Sequence, residues 1–260
     1  MANPSALVTV MIKAAEKAAK KLVRDFGELE NLQVSKKGPA DFVSRADIMA
    51  EKTIKEELLK ARPDFGFLGE ESEPHTGSIN SRFIVDPIDG TTNFLHGIPQ
   101  FCISIAAEVD GQLKAGVILD PIKHELFWAE KGLGAYCNGK RLRVAGRTDL
   151  SEALLVIGTP FAGHGDADAF IAFLKKTMGN VAGFRRMGSA ALDLAYVAMG
   201  RFDMYYETHL KPWDVAAGIL LVEEAKGIVT DSTGGHDMLK NGSILAANPI
   251  LHPLLRNLLR

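Results

Sequence analysis

Cysteine is scarce: Cys102 and Cys137 are the only two in 260 residues. They have neither the spacing of a thiolate metal centre nor the density of a disulfide scaffold, so two reduced thiols in a cytoplasmic protein are expected. Excess charge is also missing. The net charge of −2 lacks the global basic signature of a nucleic-acid binder. No apolar run approaches the roughly 20 residues that span a bilayer, so no membrane partner is expected. Met1-Ala2-Asn3-Pro4 is not a charged segment leading into an apolar core, and no signal peptide is expected. Internal repeats and low-complexity segments are absent. What remains is an ordinary composition, 47% hydrophobic and 24% charged, with ample material for a large core. The length fits one large domain or two tightly joined halves.

Taken in order, Ala6, Val10, Ala14, Ala18 and Leu22 fall at helical spacing and predict a helix from residue 5 to about 30, ending near Gly27. Ser35-Lys36-Lys37-Gly38-Pro39 is a polar breaker cluster and reads as a surface loop. An amphipathic helix to about Ala61 follows, with Asp47 near its start. Phe65 to Leu68 reads as a strand leading into Gly69-Glu70-Glu71. Phe101 to Val109 and Leu113 to Leu119 flank Asp110-Gly111, a two-residue hairpin signal. Glu125 to Glu130 and a hairpin at Asn138-Gly139 extend a meandering antiparallel sheet. Beyond Ala153 strands and helices alternate, which argues for an α/β arrangement. Pro212-Trp213-Asp214 opens one of those helices.

The centre of the chain is Val85-Asp86-Pro87-Ile88-Asp89-Gly90-Thr91-Thr92-Asn93. Phe83-Ile84-Val85 reads as a short buried strand that Pro87 and Gly90 end in a tight loop. Thr91, Thr92 and Asn93 offer side chains suited to capping a helix. Two carboxylates three residues apart can converge on one point, and Mg2+ is commonly held by such carboxylates together with substrate phosphates. The same stretch also fits an ordinary Asp-Pro and Asp-Gly turn before a capped helix. The motif argues against a phosphoaspartyl mechanism of the haloacid dehalogenase type: Pro87 stands at the nucleophile position and Asp86 lies one residue too early.

Three acidic stations, Gly69-Glu70-Glu71, Asp86-Pro87-Ile88-Asp89-Gly90-Thr91 and Trp213-Asp214, occur in this order with Asp41-x-Val-Ser-x-x-Asp47 before them. In order and spacing they resemble the inositol monophosphatase family of Mg2+-dependent, lithium-sensitive phosphatases. Asn93-Phe94 and Trp213-Asp214-Val215-Ala216-Ala217-Gly218 strengthen the resemblance, which covers nearly the whole chain.

The resemblance implies a layered α/β/α/β/α sandwich, one domain over 1–260. Its sub-halves would be about 1–145, α+β with a large antiparallel sheet, and about 146–260, α/β, with the site between them. It implies two or three Mg2+ ions per site. Glu70, Asp86 and the Ile88 carbonyl would hold the first, and Asp86, Asp89 and Asp214 the second. Glu70 would help with a third. Thr91 and Asp47 would orient the attacking water, with Glu71 alongside. Gly90 and Thr91 amides would face phosphate, and Gly188, Ser189, Ala190, Glu207, Asp89 and Asp214 would contact substrate. Lys36 falls on the loop matching the family's mobile metal-site loop. A homodimer is implied as well.

The expected reaction is hydrolysis of a small polyol monophosphate, above all myo-inositol 1-phosphate, without a phosphoenzyme. Fructose 1,6-bisphosphate, histidinol phosphate and a 3′-phosphorylated nucleotide are the alternative substrates. Glu207 favours a polyol, because an acidic acceptor suits ring hydroxyls and opposes a second phosphate. The alternative of another class is a regulatory protein that binds RNA or the transcription machinery through Lys140-Arg141-Leu142-Arg143 and Arg185-Arg186.

Overall fold

The computed structural model describes residues 3–28, 34–38, 41–160 and 165–259, with side chains described throughout except on 34–38 and 41–43. Helix α1 (Ala6–Gly27) starts at Ser5, whose side chain accepts from the Val8 amide. Strands β1 (Val34–Gly38) and β2 (Asp41–Ser44) pair antiparallel where the sequence predicts a loop. Ser, Lys and Gly have little strand propensity, so pairing with β2, rather than local preference, makes this strand. Helix α2 (Arg45–Ala61) follows, then β3 (Gly66–Gly69), β4 (Ser81–Asp89), α3 (Thr91–Leu95), β5 (Cys102–Val109), β6 (Gln112–Asp120), β7 (Glu125–Glu130), β8 (Gly134–Cys137) and β9 (Lys140–Arg141). The β5–β6 turn has Asp110 and Gly111 at φ 51° and 71°, the mirror-image geometry that Asp-Gly favours in two-residue hairpins.

The remaining elements are β10 (Leu154–Ile157), α4 (Ala167–Thr177), β11 (Gly183–Arg185), α5 (Ala190–Ala198), β12 (Met204–Glu207), α6 (Pro212–Glu224), β13 (Ile228–Thr230), α7 (Met238–Asn241), β14 (Ile244–Ala247) and α8 (Leu251–Leu258). Strands β3 to β9 form a seven-stranded sheet in sequence order, antiparallel except for the parallel β3–β4 pair. A five-stranded sheet runs β11-β10-β12-β14-β13.

Period-two alternation sets the layers. Phe83 and Val85 of β4 face a core shared with Met11 and Leu22 of α1 and Ile54 of α2. Ile84, between them, faces the opposite core with Leu194 of α5 and Leu220 of α6. That second core continues to Val156 and Tyr205 of the smaller sheet, while Leu155 points to an outer core with Phe173 of α4 and Leu251 and Leu255 of α8. The order is therefore α1/α2, large sheet, α5/α6, small sheet, α4/α8, the α/β/α/β/α sandwich. Both sheets are covered on two faces, which is why strands such as Cys102–Val109 are apolar almost throughout.

Candidate active site

β3 and β4 run parallel, so they release their following residues at one edge. The Glu70 amide donates to the Val85 carbonyl at 3.3 Å, which places Glu70 beside Asp86. The sequence expectation that β4 stops at Asp86 is corrected: the strand continues to Asp89, with a register shift between Asp86 and Asp89. Pro87 has no amide hydrogen for the ladder, and the Ile88 amide turns back to Asp86 Oδ1 at 2.9 Å. Gly90 then takes φ 100°, a left-handed turn that a side chain would strain.

The expected capping roles of Thr91, Thr92 and Asn93 are corrected too. Gly90 is the N-cap residue of α3 and receives no side-chain cap bond. The Thr91 hydroxyl lies within hydrogen-bond reach of Asp47 Oδ1 at 3.0 Å and the Ile88 carbonyl at 2.9 Å. Asp47 is itself fixed, because its Oδ2 accepts from the Ser44 amide at 2.9 Å and from the Ser44 hydroxyl. Asn93 Nδ2 donates to the nearby Gln100 carbonyl at 2.7 Å and crosses to the second half of the chain at the Met187 carbonyl, 2.8 Å away.

Asp89 joins the halves as well. Its Oδ2 accepts from the Ser189 hydroxyl at 2.6 Å and the Ala191 amide at 2.7 Å, and Oδ1 from the Ala190 amide at 3.3 Å. Helix α5 has no cap from its own Ser189, so Asp89 caps it from across the chain. Asp214 sits in the first turn of α6, its Oδ2 accepting from the Lys211 amide at 2.7 Å. Ser104 of β5 anchors that turn through the Trp213 carbonyl at 3.2 Å. The Tyr205 hydroxyl donates to Glu207 Oε2 at 2.7 Å.

These residues border one cavity of about 390 Å³. Glu70, Asp86, Ile88, Asp89, Gly90, Thr91, Gly188, Ser189, Ala190, Glu207 and Asp214 all line it. Asp47 reaches it through Thr91. Glu71 is not among the lining residues. It lies on a neighbouring groove with Ile48 and Lys55, and its amide donates to the buried Glu51 at 2.7 Å. Lys36 falls within β1 rather than a loop, and its side chain lies outside the described residues.

The wall carries unbalanced negative charge. Burial pushes the Asp86 carboxyl well up, and Glu70, Asp89, Asp214 and Asp47 push it further. Asp214 is also raised well above the usual range, by burial and then by Asp89, against the bond from Lys211. Burial lifts Asp89 to about 6 even though Ser189, Ala191, Ala190 and Cys102 hold it down. Asp47 is raised by burial, with the Ser44 and Thr91 bonds opposing. Among the described lining residues Arg186 is the only lysine or arginine.

Among the described residues no three acidic, histidine or cysteine side chains close into a ready-made cation cage. Asp86, Asp89 and Asp214 instead each rest on backbone donors. The donor set is nonetheless all oxygen and strongly anionic, which fits a hard divalent cation whose coordination is completed by water and phosphate oxygens.

Some contributors are not evident from motif spacing. Tyr205 has a legible signal: it lies two residues before Glu207 on a strand and so shares its face. Arg186, which lines the cavity, and the buried Asp193, which Glu207 repels, enter only through the packing of distant elements.

The sequence model described as the inositol monophosphatase family matches residues 3–260. An inositol-1-monophosphatase from Rhizobium meliloti is 54% identical over 98% of this chain and 97% of its own. A Nus factor SuhB from Pseudomonas aeruginosa is 43% identical over 93% of this chain and 91% of its own. The crystal structure of extragenic suppressor protein suhB from Bartonella henselae superposes with a TM-score of 0.96 at 52% identity, covering 98% of this chain and 99% of that one.

Proposed function

The chain belongs to the inositol monophosphatase family, and from that premise we propose that it hydrolyses small polyol monophosphates, myo-inositol 1-phosphate first among them, with Mg2+ as cofactor. It is a phosphoric monoester hydrolase. The observation that carries the finer reading is the continuity of one cavity from the acidic wall of Glu70, Asp86, Asp89 and Asp214 to Glu207. One end suits a cation-bound phosphate and the other a hydroxyl-bearing alcohol.

Glu70, Asp86 and the Ile88 carbonyl would hold one Mg2+, and Asp86, Asp89 and Asp214 a second, with Glu70 contributing to a third. When bound, Mg2+ supplies the countercharge this wall needs, lowers the proton affinity of the attacking water and neutralises the departing alkoxide. The chain's own groups do the rest. Donating to Asp47, one of its two acceptors in reach, the Thr91 hydroxyl would offer its lone pairs to a water and orient it. The proton then has a path through Thr91 Oγ1 to Asp47 Oδ1. The Gly90 and Thr91 amides, at the left-handed turn, would face phosphate oxygens. On the alcohol side Gly188, Ser189 and Ala190 form the wall and Glu207 accepts from substrate hydroxyls. Burial raises Glu207 to about 7, partly offset by the Tyr205 bond, so it also has a protonated form near neutrality. Glu71 would stand alongside the Thr91 and Asp47 pair, its amide held by Glu51 at the neighbouring groove.

The substrate reading is tested by phosphate release from myo-inositol 1-phosphate beside fructose 1,6-bisphosphate, histidinol phosphate and a 3′-phosphorylated nucleotide. The highest kcat/KM on the inositol ester supports it, and a higher value on another of the four replaces it. A second reading is favoured by the Nus factor name of relatives such as the Pseudomonas protein. On that reading the exposed Lys140, Arg141, Arg143, Arg185 and Arg186 contact RNA. An RNA titration at low salt decides it, since phosphate contacts are strongest there; no binding ends this reading.

A further inference from the structure

Glu207 is held by groups outside the acidic wall. Tyr205 is fully buried at 0% exposure, and its hydroxyl donates to Glu207 Oε2 at 2.7 Å. A buried phenol needs a hydrogen-bond partner, and Glu207 supplies it. The two side chains lie on one face of β12, two residues apart. That single bond fixes one carboxylate oxygen and so the direction of the other.

The neighbouring strand leaves room for this arrangement. β10 runs parallel to β12, with Ile157 opposite Tyr206, and the Gly158 amide donates to the Tyr206 carbonyl at 3.1 Å. Gly158 therefore stands beside Glu207. A Cβ at position 158 would overlap Cγ, Cδ and Oε1 of Glu207, and those are its three nearest atoms. Gly158 does not have the left-handed φ that would forbid another residue. The three nearest atoms all belong to the Glu207 side chain and none to the backbone, so an added methyl displaces the Glu207 carboxylate. Nearby charges do not hold Glu207 in place by themselves: Asp89 and the buried Asp193 repel it, and Arg186 attracts it.

We propose that Tyr205 and Gly158 are positioning residues that set selectivity for hydroxyl-bearing substrates, Tyr205 by clamping the Glu207 carboxylate and Gly158 by leaving the space it fills. The inference rests on the reading of Glu207 as the alcohol-side contact.

The test compares myo-inositol 1-phosphate with cyclohexyl phosphate, a ring of the same size without hydroxyls. Kinetics are measured for wild type, Tyr205→Phe, Gly158→Ala and Glu207→Gln, with melting curves to establish folding. In Tyr205→Phe and Gly158→Ala the KM for the inositol ester rises about tenfold, the loss expected for one hydrogen bond, and kcat stays within about twofold. Cyclohexyl phosphate turnover is unchanged in both. Equal losses on the two esters, or no loss on either, overturn the inference. If Tyr205→Phe does not fold, Gly158→Ala decides alone. The two ideas fail differently. A preference for the inositol ester that falls in Glu207→Gln and survives in the other variants overturns the positioning roles alone. A preference unchanged even in Glu207→Gln removes the alcohol-side contact and overturns both.

Discussion

The Thr91 hydroxyl lies 3.0 Å from Asp47 Oδ1, a contact between residues 44 positions apart that joins the start of α3 to the start of α2. Asp47 is 0% exposed and its other oxygen is held by Ser44, so the acceptor has little freedom to move. The Thr91 oxygen is thereby held between two acceptors, Asp47 and the Ile88 carbonyl at 2.9 Å.

Thr91→Ala is expected to lower kcat about 100-fold or more with KM changed only a few-fold, in line with the loss of a positioned proton acceptor. Thr91→Ser, which keeps the hydroxyl, should recover most of the rate. Steady-state kinetics on one ester checks both, and a Thr91→Ala enzyme close to wild type would remove the water-orienting role.

The acidic wall costs stability without its countercharge. Asp86 is raised in the fold, so its contribution falls as pH climbs through the unfolded value of about 3.9 and is unfavourable at neutrality. Asp86→Asn keeps an acceptor for the Ile88 amide and removes the repulsion. Its melting temperature in EDTA at pH 7 should exceed that of the wild type. Saturating Mg2+, at about 100 times Kd, should raise the wild type by about 5–10 °C and the variant much less. Calorimetry with and without the cation distinguishes this from a wall that carries no electrostatic cost.

Asn93 ties the α3 loop to the turn before α5 through the Gln100 and Met187 carbonyls. Asn93→Ala leaves buried acceptors without a donor and should cost about 2–3 kcal/mol, read as a fall of several degrees in melting temperature. A change under about 0.5 kcal/mol would show that water or a neighbour replaces the amide.

Asp231 makes an opposite prediction about pH. Burial alone would raise it, but bonds from Thr233, Gly235 and Asn241 overcome that and hold the carboxyl at about 2. A depressed carboxyl stabilises the fold above its unfolded value, near 3.9, and that stabilisation disappears as pH falls through about 2. The melting-temperature gap between wild type and Asp231→Asn should be widest at neutral pH and close between about pH 4 and 2. A gap of constant size across that range would show that shape, not charge, is responsible.

Much of this site was legible in the chain itself. Glu70, Asp86, Asp89 and Asp214 could be picked out because the order of the acidic stations along the chain resembles the inositol monophosphatase family, and all four border one cavity. The Asp110-Gly111 hairpin was readable from its turn residues, and most strand positions from the apolar runs between turns. What was not readable depends on contacts between distant elements. Nothing local says that Pro87 lies within a continuing strand, because the register shift is set by pairing with β5. Nothing local says that Asp89 caps α5, about a hundred residues later. The β1–β2 hairpin reads as a polar loop because its residues lack strand preference and only pairing orders them. Glu71 looks equivalent to Glu70 in sequence, and nothing local says that its amide is held by Glu51 of α2, twenty residues earlier.

The central claim is that the acidic wall holds the cation on which phosphate release depends. It is tested most directly by phosphate release from myo-inositol 1-phosphate, in Mg2+ and in EDTA, for wild type and Asp86→Asn. The account predicts strong release by the wild type in Mg2+, none above background in EDTA, and collapse in the variant although it remains folded. Release that persists in EDTA, or that survives in Asp86→Asn, would contradict it.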